Sequence, residues 1–278
     1  MKRLLVISLL LWGAGAIQAQ EEPQSIYFHV GSGFHNLNYD LRNGTQENNI
    51  GFTCNLGYNY FFSRNWGVGS GLGLESFQSE ATLNYQTSKS SVDTDGESFK
   101  FRTQYNDWQE KQSVLLLDIP ISLIYQKQLS EKLKFQFSAG PKVSFAVQSN
   151  YKIEGGSIET FGFYPQYNVF LYDMPQHNFS TLTRFPKNDT SLNPVVSAYS
   201  NGGALYKLNS CMDLYAGVYI DLGLSNMIDA RDQFLYQEDG VYNGVFSSRL
   251  TSKVKHFAFG FKVGINFRLV KPKETDQI

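Results

Sequence analysis

The sequence predicts an all-β protein: an eight-stranded antiparallel up-and-down β-barrel that crosses a membrane, with long extracellular loops. Three observations carry this. Apolar and polar residues alternate with a period of two in eight separate segments. Each segment is long enough to cross a bilayer at a tilt, which takes ~9–11 residues. The connections between segments alternate strictly between short and long. Transmembrane barrels show that asymmetry, with short periplasmic turns and long outer loops. A soluble barrel or sandwich has no physical reason to obey it.

The segments follow in chain order. "SIYFHVGSGFHNL" sets Ile26, Phe28, Val30 and Phe34 against His29, Gly31, Gly33 and His35. "IGFTCNLGYNYFF" gathers Phe52, Cys54, Leu56, Tyr58, Tyr60 and Phe62 on one face. "WGVGSGLGLES" opposes Trp66, Val68, Leu72 and Leu74 to four glycines and Glu75. "LLLDIPISLIYQKQ" places Asp118, Pro120 and Ser122 opposite Leu117, Ile119, Ile121, Leu123 and Tyr125. "LKFQFSAGPKVSFAVQ", "VSAYSNGGALYKL", "MDLYAGVYIDLGLSNM" and "KVKHFAFGFKVGINFRL" complete the eight. Only "SRN", about "LSEK" and about "NSC" join segments 2–3, 4–5 and 6–7. The long connections are roughly residues 38–49, 80–111, 150–194 and 227–251. Within them, "SFKFRTQYNDW" alternates, and Asp95-Gly96 is a hairpin turn signal. Strands 3 and 4 are therefore expected to run above the membrane as a ribbon. A second small hairpin is expected around Asp239-Gly240. "FGFYPQYNVFLY" is either a third hairpin or two further ring strands, so a ten-stranded barrel stays open.

Composition agrees. Aromatics reach 15%, with 22 Phe and 17 Tyr, and mean hydropathy is −0.30. Residues 1–19 read as a cleaved signal peptide: Lys2 and Arg3, an apolar core from Leu4 to Trp12, then small residues up to Ala19. That core is well short of the ~20 residues of a spanning helix. Residues 20–270 then form the barrel domain and 271–278 a polar periplasmic tail. The mature chain has 22 basic and 25 acidic residues, a balance that does not point to nucleic acid. Cys54 and Cys211 are expected to be free structural thiols.

The inward faces carry the charged residues Glu75, Asp118, Lys142, Asp221, Lys262 and Arg268. In an eight-stranded barrel the interior is just wide enough for side chains to fill it. Charges placed there need partners. Strands 4 and 5 form a tight hairpin that puts Asp118 opposite or diagonal to Lys142, and an interior ion pair within ~6 Å is expected. Tyr58, Tyr60, Phe62, Trp66, Tyr125, Tyr206 and Phe267 fall near the short-turn ends and are expected to form the aromatic girdle at the membrane boundary. Pro120 and Pro141 each remove a ladder hydrogen bond, so a bulge or bent ladder is expected at this hairpin.

"LLLDIPISLIYQKQLSEKLKFQFSAGPKVSF" resembles the outer-membrane β-barrel domain proteins of Bacteroidota, the porin-like or PorT-like group. The motifs are Leu117-Asp118-Ile119-Pro120 and Ala139-Gly140-Pro141, and "YAGVYIDLGLSNM" and "FAFGFKVGINFRL" look like that family's last two strands. The resemblance covers most of the mature chain. It implies the outer membrane of a Gram-negative bacterium, contact with outer-membrane lipid and lipopolysaccharide, and insertion by the β-barrel assembly machinery. It says little about activity.

No chemical motif stands out. The glycines of "WGVGSGLGL" lack the spacing and the Lys-Ser/Thr of a phosphate loop, and they read as small residues making room for the opposite wall. His29, His35, His177 and His256 share no metal-ligand spacing. Asp229, Asp232, Glu238 and Asp239 make the last loop acidic without an EF-hand pattern. Trp108, Phe163, Tyr164, Tyr167 and Tyr236 either form a binding surface or pack the loops together. The expected function is non-enzymatic and needs no cofactor: a barrel with a mostly filled lumen, structural or binding a ligand or partner through its extracellular loops. Two alternatives stay open, a porin-like small-solute channel and an outer-membrane lipid-modifying enzyme, since a Ser-His-acid site is defined by geometry and not by order. Outer-membrane strands usually end on an aromatic assembly signal, whereas Phe267 is followed by Arg-Leu-Val and the tail. If Phe267 serves internally, deleting residues 271–278 leaves insertion intact, read as an unchanged heat-modifiable gel shift.

Overall fold

A computed structural model describes residues 24–269. The signal peptide and the polar tail lie outside the described residues. The strands are β1 (Gln24–Tyr39), β2 (Gly44–Asn48), β3 (Ile50–Phe61), β4 (Trp66–Val92), β5 (Ser98–Gln128), β6 (Leu133–Tyr164), β7 (Val169–Leu171), β8 (Thr181–Leu182), β9 (Asn188–Asp189), β10 (Val195–Lys207), β11 (Met212–Gly223) and β12 (Val254–Arg268). Eight of them pair antiparallel in the order β10-β11-β12-β1-β3-β4-β5-β6, and β6 pairs back to β10, so the ring closes. The first and last strands meet in a continuous seam from Ser25↔Arg268 to Tyr39↔Val254. A closed ring leaves no sheet edge, so the ladder satisfies its own N–H and C=O groups.

The period-two pattern sorts side chains as the sequence demands. Glu75, Asp118, Ser122 and Lys142 point inward and are buried. The outward apolar residues are bare: Phe34, Phe52 and Phe261 are 65, 66 and 70% exposed. Such residues encircle the ring, forming an apolar belt far larger than the few hundred Å² a water-soluble monomer leaves open. The belt suits hydrocarbon and not water. Cys54 faces into it, Cys211 sits in a short turn, and both thiols are free.

At one end the ring strands meet in tight turns over 62–65, 129–132 and 208–211. At the other end β4, β5 and β6 do not stop. They continue as a three-stranded ribbon, with β4 and β5 joined by the turn at Asp93–Glu97, where Gly96 has φ 83°. The 80–111 stretch is thus strand almost throughout. "FGFYPQYNVFLY" forms a hairpin of β6 with β7 at the ribbon tip, and the ring count stays at eight. Bulges at Leu83/Tyr85 and Asn106/Gln109 bend the ribbon, with Asp107 and Gly156 at φ 46° and 84°. Asn84 bridges the bend with bonds of 2.6 and 2.7 Å to Asp107.

The Pro120 hairpin has the irregular ladder expected of it, with the bulge displaced from the proline itself. Register runs unbroken on both sides of Pro120, with Asp118 opposite Ser144 and Leu123 opposite Ala139. No bulge forms there. The ladder instead skips Ile121 and Ser122 toward β6, and Ile119 and Pro120 toward β4. The hydroxyl of Ser70 donates to the Pro120 carbonyl at 2.9 Å, which serves one of the groups the proline leaves short. The slip in this hairpin lies further on, at Leu115/Leu116, where Val147 is the extra residue. The glycines of β4 are reassigned. A Cβ on Gly71 would stand 2.3 Å from the Leu56 carbonyl, and one on Gly73 2.9 Å from the Asn55 amide oxygen. The crowding comes from the adjacent strand β3 rather than from the opposite wall.

Candidate functional site: the ring interior and its cap

The interior is organised around one cation. Lys142 on β6 sends its Nζ to within 2.7 Å of Glu75 Oε2 on β4 and 2.9 Å of Asp118 Oδ2 on β5. It also pairs with Asp221 on β11. Asp118 and Lys142 are diagonal, since Lys142 is in register with Pro120. β4 and β11 lie four places apart in the ring of eight, on opposite walls. Lys142 therefore ties the lumen across its full width. All four side chains are at most 7% exposed. Burying such charges costs several kcal/mol per ion, which close pairing offsets.

Two histidines extend the cluster. His35 on β1 donates from Nδ1 to the Ser76 carbonyl (2.9 Å), bonds the Tyr219 hydroxyl through Nε2 (2.5 Å), and stands 3.8 Å from Glu75. His256 on β12 lies 3.4 Å from Asp221 and packs on Phe77. Lys262 lies over the Tyr219 ring at 4.4 Å and bonds Asn201 at 3.2 Å. Arg268 is not part of this group. It sits at the short-turn end, 3.3 Å from Asp213. His29 is also separate, bonded to Asn266 at 2.7 Å and stacked on Tyr215. Between them a polar cavity of about 50 Å³ remains, lined by residues such as Asn55, Asn59, Gln136 and Ser138. That is room for a water or two and not for a solute stream.

Above the charge cluster the interior turns apolar and aromatic, with Leu37, Phe77, Leu116 and Ala258 fully buried. The long connections then close the end as a cap. Trp108, Tyr151, Phe185 and Tyr242 pack ring against ring, with centroids 4.8–5.8 Å apart. Glu110 is the polar centre of this cap. Its carboxylate accepts from the Val245 amide at 2.8 Å, from Gln112 at 3.0 Å and from the Tyr242 hydroxyl, while Trp108 Nε1 donates to that same hydroxyl at 2.8 Å. Glu110 thereby fastens the 224–253 connection to β5. Burial pushes its pKa above the ordinary carboxylate range, against the pull of these donors.

The aromatic loop residues divide. Trp108 and Tyr236 are buried in the cap against Tyr242 and Phe185, and Tyr164 is buried against Phe99 at the ribbon tip. Tyr167 at the ribbon tip is 60% exposed, beside half-exposed Phe170 and Tyr172. Phe163 stacks on Phe170 at 4.5 Å, and the Arg102 guanidinium lies over both rings at 4.7 and 5.3 Å. The acidic last loop does not converge. Asp229 accepts from Asn193, and Glu238 from Ser91 beside Lys89. Among the described residues no His, Cys, Asp and Glu group is placed to hold a metal ion. The expected girdle residues Tyr58, Tyr60, Phe62, Trp66, Tyr206 and Phe267 are exposed near the short-turn end, and Tyr125 is half-buried against Trp66.

Sequence reasoning places His29 and His256 on inward positions as interior histidines, and it misses the roles of His35 and Glu110. For His35 the signal was present, as it too falls on an inward position. Nothing local marks Glu110, whose partners Tyr242 and Val245 are more than 130 residues away.

A family model described as "Outer membrane protein beta-barrel domain" matches residues 18–272. No curated protein sequence matches the chain. Among solved structures, the chain is similar to Neisserial surface protein A, with 9% identity over 88% of this chain and 97% of that one, at a TM-score of 0.35. It is similar to Ail, the attachment invasion locus protein of Yersinia pestis, with 10% identity over 89% and 99%, at 0.33. It is also similar to the outer membrane protein OprG of Pseudomonas aeruginosa, with 12% identity over 92% and 100%, at 0.38.

Two predictions follow from the buried charges. Lys142→Met leaves three carboxylates facing one another and costs about 3–5 kcal/mol. The measurement is the urea midpoint of the folded protein in detergent or vesicles, with partial recovery on adding Asp118→Asn. An unmoved midpoint would remove the cluster from the stability account. The second concerns Glu110. A raised carboxyl pKa means the folded cap binds the proton more tightly than the unfolded chain, so cap stability falls as pH rises from the ordinary carboxylate range through the raised value. Hydrogen-exchange protection of the Val245 amide should decline over that interval in the native protein. Glu110→Gln should flatten the decline, and Glu110→Ala should lower protection by about 1–3 kcal/mol at every pH.

Proposed function

The chain belongs to the outer membrane protein beta-barrel domain family, and on that premise we propose that it is a plugged outer-membrane barrel that binds a ligand or partner through its long-loop end. The observation that carries this reading is the tie from Lys142 to Glu75, Asp118 and Asp221, which crosses the lumen from wall to wall. A general diffusion pore needs a continuous aqueous path. Here the charged tie, the apolar layer at Phe77 and the cap at Trp108 and Tyr242 lie in series along the axis. What remains open is the ribbon tip, where Tyr167, Phe170 and Tyr172 stand exposed next to Arg102. Exposed aromatic residues beside arginine are the composition of a binding surface.

The apolar belt lies in the membrane, the tight turns face the periplasm, and the ribbon and cap face outward. Lipopolysaccharide and lipid surround the belt, and the assembly machinery inserts it. The finer assignment to the porin-like or PorT-like group of Bacteroidota rests on the Leu117–Pro120 and Ala139–Pro141 motifs. The role is non-enzymatic. His29, His35 and His256 are engaged with Asn266, Tyr219 and Asp221, so none stands poised as a base beside a serine hydroxyl.

Single-channel recording in planar bilayers tests the plug. The purified protein should give no large, stable open current. A steady conductance of the size expected of a water-filled barrel would overturn the reading in favour of a channel.

A further inference from the structure

The short-turn mouth of the ring holds an open basin of about 620 Å³, separate from the polar cavity deeper inside. Its wall is strongly one-signed. Arg64, Lys127, Lys132, Lys134, Lys207 and Arg268 surround it, with only Glu131 and Asp213 as carboxylates. Six of the 24 basic residues of a chain with formal net charge −1 thus meet in one place. They come from five separate parts of the fold: the β3–β4 turn, the β5–β6 hairpin and the ends of β6, β10 and β12. Arg268 is paired with Asp213 at 3.3 Å. Among the described residues, no ion pair reaches Arg64, Lys127, Lys132, Lys134 or Lys207.

The contrast with the deeper lumen is informative. There every buried cation meets carboxylates, Asn or an aromatic face. At the mouth the same inward alternation delivers Lys134 and Lys207 to a space whose two carboxylates are Asp213, in register with Lys207 but paired with Arg268, and Glu131 on the turn. Folding does not require this, since a Lys-Glu mixture would serve equally and would repel less. The concave wall has an apolar floor at Phe61 and Leu205. One-signed charge around low-dielectric walls focuses the field and concentrates counter-ions. The volume is that of a small-molecule site. Lysines supply compact point charges on flexible stems, which suits tetrahedral phosphate groups as donors without a fixed fork.

We infer that this basin binds a small anion carrying two or more phosphate groups, at the end of the barrel opposite the ribbon. The site is independent of the plugged-lumen reading, because it lies outside the Lys142 tie and needs no passage through it.

Calorimetric titration of the folded full chain in detergent tests it, with inorganic phosphate, pyrophosphate and tripolyphosphate as probes. The expected result is saturable binding near one per chain that tightens with each added phosphate and weakens at high salt. The double variant Lys134→Gln/Lys207→Gln should weaken tripolyphosphate binding about tenfold or more. The control Lys152→Gln/Lys255→Gln, which removes two cations from the other end, should leave it unchanged. Should the inward pair fail to fold, Arg64→Gln/Lys132→Gln on the turns gives the same readout. No saturable binding, or an equal loss in the control, overturns the proposal.

Discussion

Everything in this molecule depends on ring closure. A strand in hydrocarbon cannot leave its N–H and C=O groups bare, because each unpaired group costs several kcal/mol and no water is at hand. The seam between β1 and β12 and the pairing of β6 with β10 remove every edge from the ring. Once closed, the ring imposes the rest. Outward positions must be apolar, and inward positions must fill a narrow polar bore. The Pro120 region shows how firmly closure holds. The ladder gives up pairing at two positions on each side and keeps its register, since a one-residue slip would turn every following side chain to the wrong face.

Much of this was legible in the residues because period-two patterning is local. Phe257, Phe259 and Phe261 against His256, Ala258 and Gly260 can be read as two faces without knowing any neighbour. All eight ring strands follow from such readings, as does the set of charges that point inward. The sequence also carries the alternation of connection lengths, and the short turns fall where it places them. What it lacks is the third dimension of the bore. That Lys142 meets Asp221 on the far wall depends on the stagger of strands around the ring, which no single segment encodes. The same holds for Arg268, which shares the inward pattern with Lys262 and yet sits at the mouth.

The cap was least legible. The 224–253 connection that completes it obeys no period, and its contacts reach far along the chain. Trp108 looks like an exposed loop aromatic until Tyr242 and Phe185 are brought over it. Glu110 looks like a solvent-facing acid in an alternating ribbon until the Val245 amide is found pointing at it. Fully buried with hydrogen-bond donors but no cation, it has exchanged water for a fixed set of polar groups. That set is assembled only when the 224–253 connection is in place.

The unbroken run of β4, β5 and β6 past the belt has a consequence of reach. From Ser113 to the start of β5 at Ser98 the strand adds a contour of about 50 Å beyond the last outward apolar residue, at ~3.3 Å per residue. Bends and twist shorten that height, but it remains several times the ~8 Å screening length of physiological salt. The aromatic tip is therefore electrostatically blind to the charge of the surface it rises from. Its encounters are governed by what the tip itself carries, Arg102 and Lys100 included, and a change in the headgroup composition around the belt would leave them untouched.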